Sequence, residues 1–316
     1  MNYHMKKIVL LFLITTFTFA QSKIESYKLI NSNAFDGMIY RIDSFPTKHI
    51  TPRTVDVWLP YNYSSNKKYS VLYMHDGQML FDATTTWNKQ EWKIDETVSK
   101  LNTENKIEDI IVIAIWNIPN LRHMDLYPKK PFQLLYKKEQ ETVQLEAKKL
   151  NMVCSLEKIN SDNYLKFIVK ELKPYIDKNY SVYTDASHTG IMGSSMGGLI
   201  SMYAICEYPK IFGKASCLST HWVGFRDFEN NPIPESFFAY MQKKLPKAKN
   251  HKIYFDYGTE TLDASYLKYE YRVDEILQSK GFTEKNYKNL KFEGENHSEA
   301  SWQKRIDISI EFMFGK

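Results

Sequence analysis

Gly193-Ser194-Ser195-Met196-Gly197-Gly198 is the stretch whose reading decides the fold of this chain. It contains G-x-S-x-G, the pattern of a serine presented on a sharp turn from a strand into a helix. Alone the pattern is common, so its flanks matter. The apolar Gly190-Ile191-Met192 leads straight in, and residues 196–208, small and apolar, lead out as a helix. The glycines follow from chemistry. A serine on so tight a turn takes a strained backbone, and side chains beside it would strike neighbouring elements. The turn also sets the hydroxyl at a helix N-terminus, whose free amides and dipole favour negative charge. Ser195 is therefore the expected nucleophile and the Met196 amide an expected oxyanion donor. The alternative is a tight Gly/Ser turn with no catalytic role.

Working outward, short β-rich runs alternate with helical patterns from about residue 38 to the end, which predicts an α/β fold. Residues 53–59 alternate apolar and polar like a half-exposed antiparallel strand. "YSVLYM" and "DIIVIAIW" are continuous apolar runs, as expected of strands covered on both faces. The expected architecture is an α/β-hydrolase fold, a mostly parallel central sheet with helices on both faces. Helices are expected over 137–150, 164–178, 196–208, 264–280 and 302–314. Residues 129–162 lose the alternation and become rich in Lys and Glu, so they are expected as a lid or edge insertion.

In this order of elements the nucleophile is followed by an acid and then by a histidine. Only His221, His251 and His297 lie beyond Ser195. His221 comes too early for an acid to precede it from another strand, and His251 opens a strand. His297 stands between the last strand and the last helix, where the base is expected. The acid should lie in Tyr257-Gly258-Thr259-Glu260-Thr261-Leu262-Asp263. Asp263 is preferred, with Glu260 as the alternative, and Asp263 competes with a second role as N-cap of the helix at Ala264. The strand ending at Met74 runs into His75-Asp76-Gly77-Gln78, where Gly77 lets the backbone turn and the Gln78 amide is the second expected oxyanion donor. His75, Asp76, Trp116, His221 and Trp222 are expected to line the substrate pocket, although most tryptophans simply pack.

The first twenty residues read as an address. Lys6 and Lys7 precede an apolar run over 8–19, with small residues Thr18 and Ala20 before a cut at Gln21. The run is shorter than the ~20 residues a membrane span needs. Residues 1–20 are thus expected as a signal peptide and 21–316 as one hydrolase domain, periplasmic or secreted, with no membrane span after cleavage. The formal net charge of the chain is +5, with basic and acidic residues interspersed, which argues against a nucleic-acid partner. Lys243, Lys244, Lys247 and Lys249 read as a solvated loop. Cys154, Cys206 and Cys217 are odd in number and match no zinc spacing. No metal site is expected, and a monomer is the default.

With these residues in hand, the chain resembles the esterase family that includes esterase D-like enzymes, enterochelin esterases and feruloyl or acetylxylan esterases. The resemblance rests on "VDVWLP", "VLYMHDGQMLFD", "GSSMGG", "DYGTETLD" and "ENHSEASWQKR" and covers about residue 38 to the C-terminus. It implies a cofactor-independent hydrolase with Ser195, Asp263 and His297 as triad and Met196 and Gln78 as oxyanion amides. Many relatives carry the acid nearer the glycine than Asp263 stands from Gly258, which keeps Glu260 open. The implied substrates are esters, small or linked to polysaccharide. Acetyl or feruloyl groups on carbohydrate and siderophore lactones both suit an exported enzyme, whereas cytosolic thioesters do not. Arg122 and Arg226 are the cations a triscatecholate would need. Two other readings share the fold: a non-catalytic carbohydrate-binding protein, and an acyltransferase using the same triad.

Overall fold

Unbroken apolar runs build the middle of the sheet because successive residues of a strand point to opposite faces and both faces are covered. The computed structural model describes residues 24–30, 35–152 and 154–316. The described strands are β1 (Tyr27–Lys28), β2 (Met38–Phe45), β3 (Arg53–Leu59), β4 (Ser70–His75), β5 (Ile110–Ile115), β6 (Thr189–Ser194), β7 (Lys214–Leu218), β8 (Lys252–Gly258) and β9 (Tyr287–Phe292). They form one sheet in the order β1-β2-β3-β5-β4-β6-β7-β8-β9. β1, β2 and β3 run antiparallel to their neighbours, and every pair from β5 to β9 is parallel. Val71, Tyr73, Ile111 and Ile113 join the core under helix Met196–Glu207. Leu72, Met74, Ile110 and Val112 join the opposite core, under helices Ile94–Thr103 and Ile306–Phe314. This is the α/β-hydrolase architecture expected from the sequence.

The parallel strands put the loops after β4, β6, β7, β8 and β9 at one end of the sheet, where ligands bind in such folds. Three helices differ from expectation. The helix over 164–178 is longer, running from Ser161 to Asn179, and widens to a π-turn at Ile168–Leu172. Pro174, which offers no amide for the regular ladder, stands two residues beyond the π-turn. The last helix is two, Glu299–Gln303 and Ile306–Phe314. The helix expected from Ala264 instead starts at Glu270 and ends at Ser279, behind a 3₁₀ turn Thr261–Ser265. Over 129–162, helix Lys137–Lys149 buries Val143 and Ala147, and Glu146 binds Arg226 on the loop after β7. The three cysteines are buried and unpaired. The leader expected over 1–20 lies outside the described residues, and among those described no helix is long and apolar enough to cross a membrane.

Candidate active site

Ser195 has φ 58° and ψ −119°, a conformation that costs a non-glycine residue energy and persists only where its surroundings enforce it. The enforcement is visible. A Cβ at Gly193 would stand 2.8 Å from Gly197 Cα, and one at Gly198 would stand 2.9 Å from Thr220 Oγ1. The Ser195 amide is bound to the Leu218 carbonyl at 2.9 Å, which ties the turn to the end of β7. Ser195 is nearly buried, and Met196 opens the helix, so its amide has no acceptor within that helix.

Asp263 and His297 meet although 34 residues separate them: Nδ1 of His297 lies 2.5 Å from Asp263 Oδ1. Asp263 Oδ2 accepts from the Gly258 amide at 2.6 Å and from Ser219 Oγ at 2.5 Å. Burial pushes the Asp263 carboxyl up, but His297, Ser219 and the Gly258 amide outweigh it and hold the group below its ordinary value. Glu260 is exposed and its side chain caps nothing, so the structure brings Asp263 and not Glu260 to the histidine. The competing N-cap role also falls away, because the helix begins seven residues later, at Glu270. The edge of the His297 ring is covered by Trp302, with ring centroids 5.0 Å apart and nearly perpendicular.

Tyr266, which sequence reasoning missed, stands between these groups. It is fully buried and packs edge-on against His297. His221 Nε2 faces the Phe225 carbonyl at 3.1 Å, an acceptor only, so this nitrogen carries the proton. Burial holds the His221 ring neutral, which leaves Nδ1 as acceptor for the Tyr266 hydroxyl at 2.6 Å. The Tyr266 oxygen is then free to accept. Among the described residues no hydrogen bond joins Ser195 to His297 directly; such bonds commonly tighten only with substrate in place. The spacing D-x-x-Y over 263–266 was the one available signal.

On the other side, the β4 loop lies against the elbow: a Cβ at Gly197 would stand 3.5 Å from His75 Cβ and 3.7 Å from Asp76 Oδ2. His75 is buried, bound through Nδ1 to the Tyr164 hydroxyl at 2.8 Å, and its pKa is lowered to about 4 by desolvation. Asp76 takes a left-handed conformation, φ 56°, and starts the 3₁₀ turn Gly77–Met79 that carries the Gln78 amide. Gly77 is required here, since a Cβ would come within 2.6 Å of the Ala114 backbone. Arg122 grips both Asp76 oxygens at 2.8 and 2.7 Å, and Asn117 adds a third bond at 2.6 Å.

Two expected pocket residues are placed elsewhere. Trp116 donates to Asp56 at 2.9 Å and lies under the Arg41 guanidinium, so the Arg41–Asp56 pair claims it. Trp222 is fully buried, donates to Glu270 at 2.9 Å and packs on Phe238 and Phe255. His251 binds the Pro209 carbonyl, away from the group.

Residues 50–311 match the sequence family Esterase, described as "Putative esterase". The chain belongs to this esterase family. It is 29% identical over 161 residues to YbbA of Bacillus subtilis (strain 168), described as an uncharacterized protein. That match covers 49% of the chain and 60% of YbbA. Among solved structures, the ferulic acid esterase AmCE1/Fae1A from Anaeromyces mucronatus aligns with TM-score 0.57 and 16% identity, over 92% of this chain and 94% of that chain. The enterobactin esterase FES from Shigella flexneri aligns with TM-score 0.60 and 13% identity, over 90% of this chain and 62% of that chain. Both likenesses concern the fold.

Proposed function

We propose that the esterase hydrolyses acetyl or feruloyl esters carried on carbohydrate, through an acyl-enzyme on Ser195. The observation that carries the reading is the pairing of the buried Asp263 with His297, beside a serine held on a strained turn. His297 Nε2 takes the Ser195 proton as Oγ attacks the ester carbonyl. The Met196 and Gln78 amides receive the oxyanion, each such donor being worth about 3 to 4 kcal/mol in the transition state. His297 returns the proton to the departing sugar oxygen, then activates water to release the acid. Asp263 fixes the tautomer and stabilises the imidazolium.

The choice of substrate rests on charge. Arg122 is consumed by Asp76 and Arg226 by Glu146, so neither cation is free for a polyanionic triscatecholate. The histidines flanking the elbow, His75 and His221, are held neutral by burial. An uncharged acyl group suits such walls, and Fae1A, of the same fold, is described as a ferulic acid esterase. The reading includes export, carried by the sequence of residues 1–20. Purified protein and its Ser195→Ala variant should be assayed on p-nitrophenyl acetate, on feruloylated and acetylated oligosaccharides, and on a catecholate lactone. Turnover of the oligosaccharide esters that disappears with Ser195 is expected. Preference for the lactone would overturn the substrate, and no Ser195-dependent turnover would overturn the mechanism. N-terminal sequencing of protein recovered from cell envelope and medium should begin at Gln21.

A further inference from the structure

Behind the Asp263–His297 pair lies a polar cluster that is fully enclosed. Ser219, directly after β7, is buried with φ 42°, a left-handed conformation that a serine adopts at a cost. Its Oγ has three hydrogen-bond relations to account for. Trp302 Nε1 donates to it at 2.9 Å, and Arg305 Nη2 donates to it at 2.9 Å. Those two donors fill both lone pairs of the hydroxyl, so its single proton has one place to go. That place is Asp263 Oδ2, at 2.5 Å. Arg305, itself buried, also binds Asp256 Oδ1 at 2.9 Å, and the Ser219 amide binds the Asp256 carbonyl at 2.8 Å.

We propose that Ser219 is a positioning residue whose hydroxyl, locked as a donor by Trp302 and Arg305, fixes the orientation and the basicity of the Asp263 carboxylate. The inference rests on the proposed roles of Asp263 and His297. With Oδ2 held by Ser219 and Gly258, Oδ1 alone is left for His297, and the carboxylate cannot rotate to present its other oxygen. The cation of Arg305 acts on Asp263 through one hydroxyl, which weakens the carboxylate as a base and keeps the shared proton on His297 Nδ1. The other ionisable groups nearby are Tyr266 and His221, which face His297, Tyr254, which faces Asp256 and Arg305 with Asp307 beyond it, and Glu295, which faces Arg305. Among the described residues, the hydrogen bonds to the Asp263 carboxylate come from His297, Ser219 and Gly258.

Removing the hydroxyl makes Asp263 the stronger base and raises the affinity of His297 for its second proton. The test is Ser219→Ala beside Ser219→Gly, the latter relieving the positive φ and so guarding against a folding defect. In both variants the acidic limb of the kcat/KM profile should move to higher pH by about half a unit to one unit, with kcat lowered about tenfold and KM little changed. The His297 ring should show the same upward shift by NMR titration, and its Nδ1 proton resonance should move. The NMR readout needs no turnover, so it stands even if the proposed substrate or reaction is wrong. A His297 titration unchanged or shifted downward in both variants would overturn the proposal, whatever happens to kcat.

Discussion

Two polar networks flank Ser195, and they handle charge in opposite ways. On the β8 side, Ser219 and the Gly258 amide converge on Asp263, and Asp263 delivers its charge to His297. On the β4 side, Arg122 and Asn117 converge on Asp76, and nothing passes the charge onward. The difference matches the two tasks proposed for them. A base that must become imidazolium benefits from a nearby negative charge. A loop that must receive an oxyanion is harmed by one, and Asp76 Oδ2 lies near enough to the elbow that its neutralisation counts. Burial alone pushes both carboxyls up, and in both cases hydrogen bonds and opposite charge reverse the shift.

The largest effect expected from breaking this contrast is at Asp263. Asp263→Asn should lower kcat on the order of 10³- to 10⁴-fold, because the amide favours the wrong imidazole tautomer. Glu260→Gln should stay within about twofold of the parent, as an exposed side chain with no role in the group. Equal losses in the two variants would dissolve the distinction between them.

Next come the two arginines. Arg305→Met leaves Asp256 as an uncompensated charge in a site where both partners are about 1% exposed, and should cost about 3 to 5 kcal/mol in denaturant unfolding. Arg122→Met acts where the guanidinium side chain is 30% exposed, so solvent tempers the loss to about 1 to 2 kcal/mol. Its mark should be on the reaction instead: kcat falls about tenfold because Asp76 now opposes the oxyanion, and Asp76→Asn in the same chain restores most of it. A double variant no better than Arg122→Met would show that Asp76 is not the source of the loss.

The smallest effect concerns acid. Arg122 and Asn117 hold the Asp76 carboxyl below its ordinary value of 3.8. A lowered folded-state value contributes stability that is present above about pH 4 and is lost as the pH falls below it. Asp76→Asn should therefore have a flatter stability profile than the parent between about pH 4 and pH 2, measured by thermal unfolding.

Much of this site was legible in the sequence because chain order and spatial order coincide in a parallel sheet. The turns after β6, β8 and β9 carry Ser195, Asp263 and His297 in that succession, and all open at one end. Other residues are assigned by hydrogen bonds that no local pattern announces. Trp116 and Trp222 stand after strands, where a pocket was expected, but their indole N–H groups find Asp56 and Glu270, 60 and 48 residues away. Ser219 looks like any small residue ending a strand until its three partners are counted. The helix expected from Ala264 fails because Tyr266 is drawn inward to His221. Its amide closes a three-residue turn on Asp263 at 2.8 Å, and that of Tyr269 closes another on Tyr266. That irregular stretch is what lifts Asp263 and Tyr266 toward His297.

The central claim is that Ser195 forms a covalent acyl intermediate, and mass spectrometry of the intact protein tests it most directly. After brief exposure to p-nitrophenyl acetate at low pH, the protein should gain one acetyl group, mapped to the peptide containing Ser195. His297→Ala and Ser195→Ala should gain none. An acetyl group mapped to another residue, or full turnover by Ser195→Ala, would contradict the account.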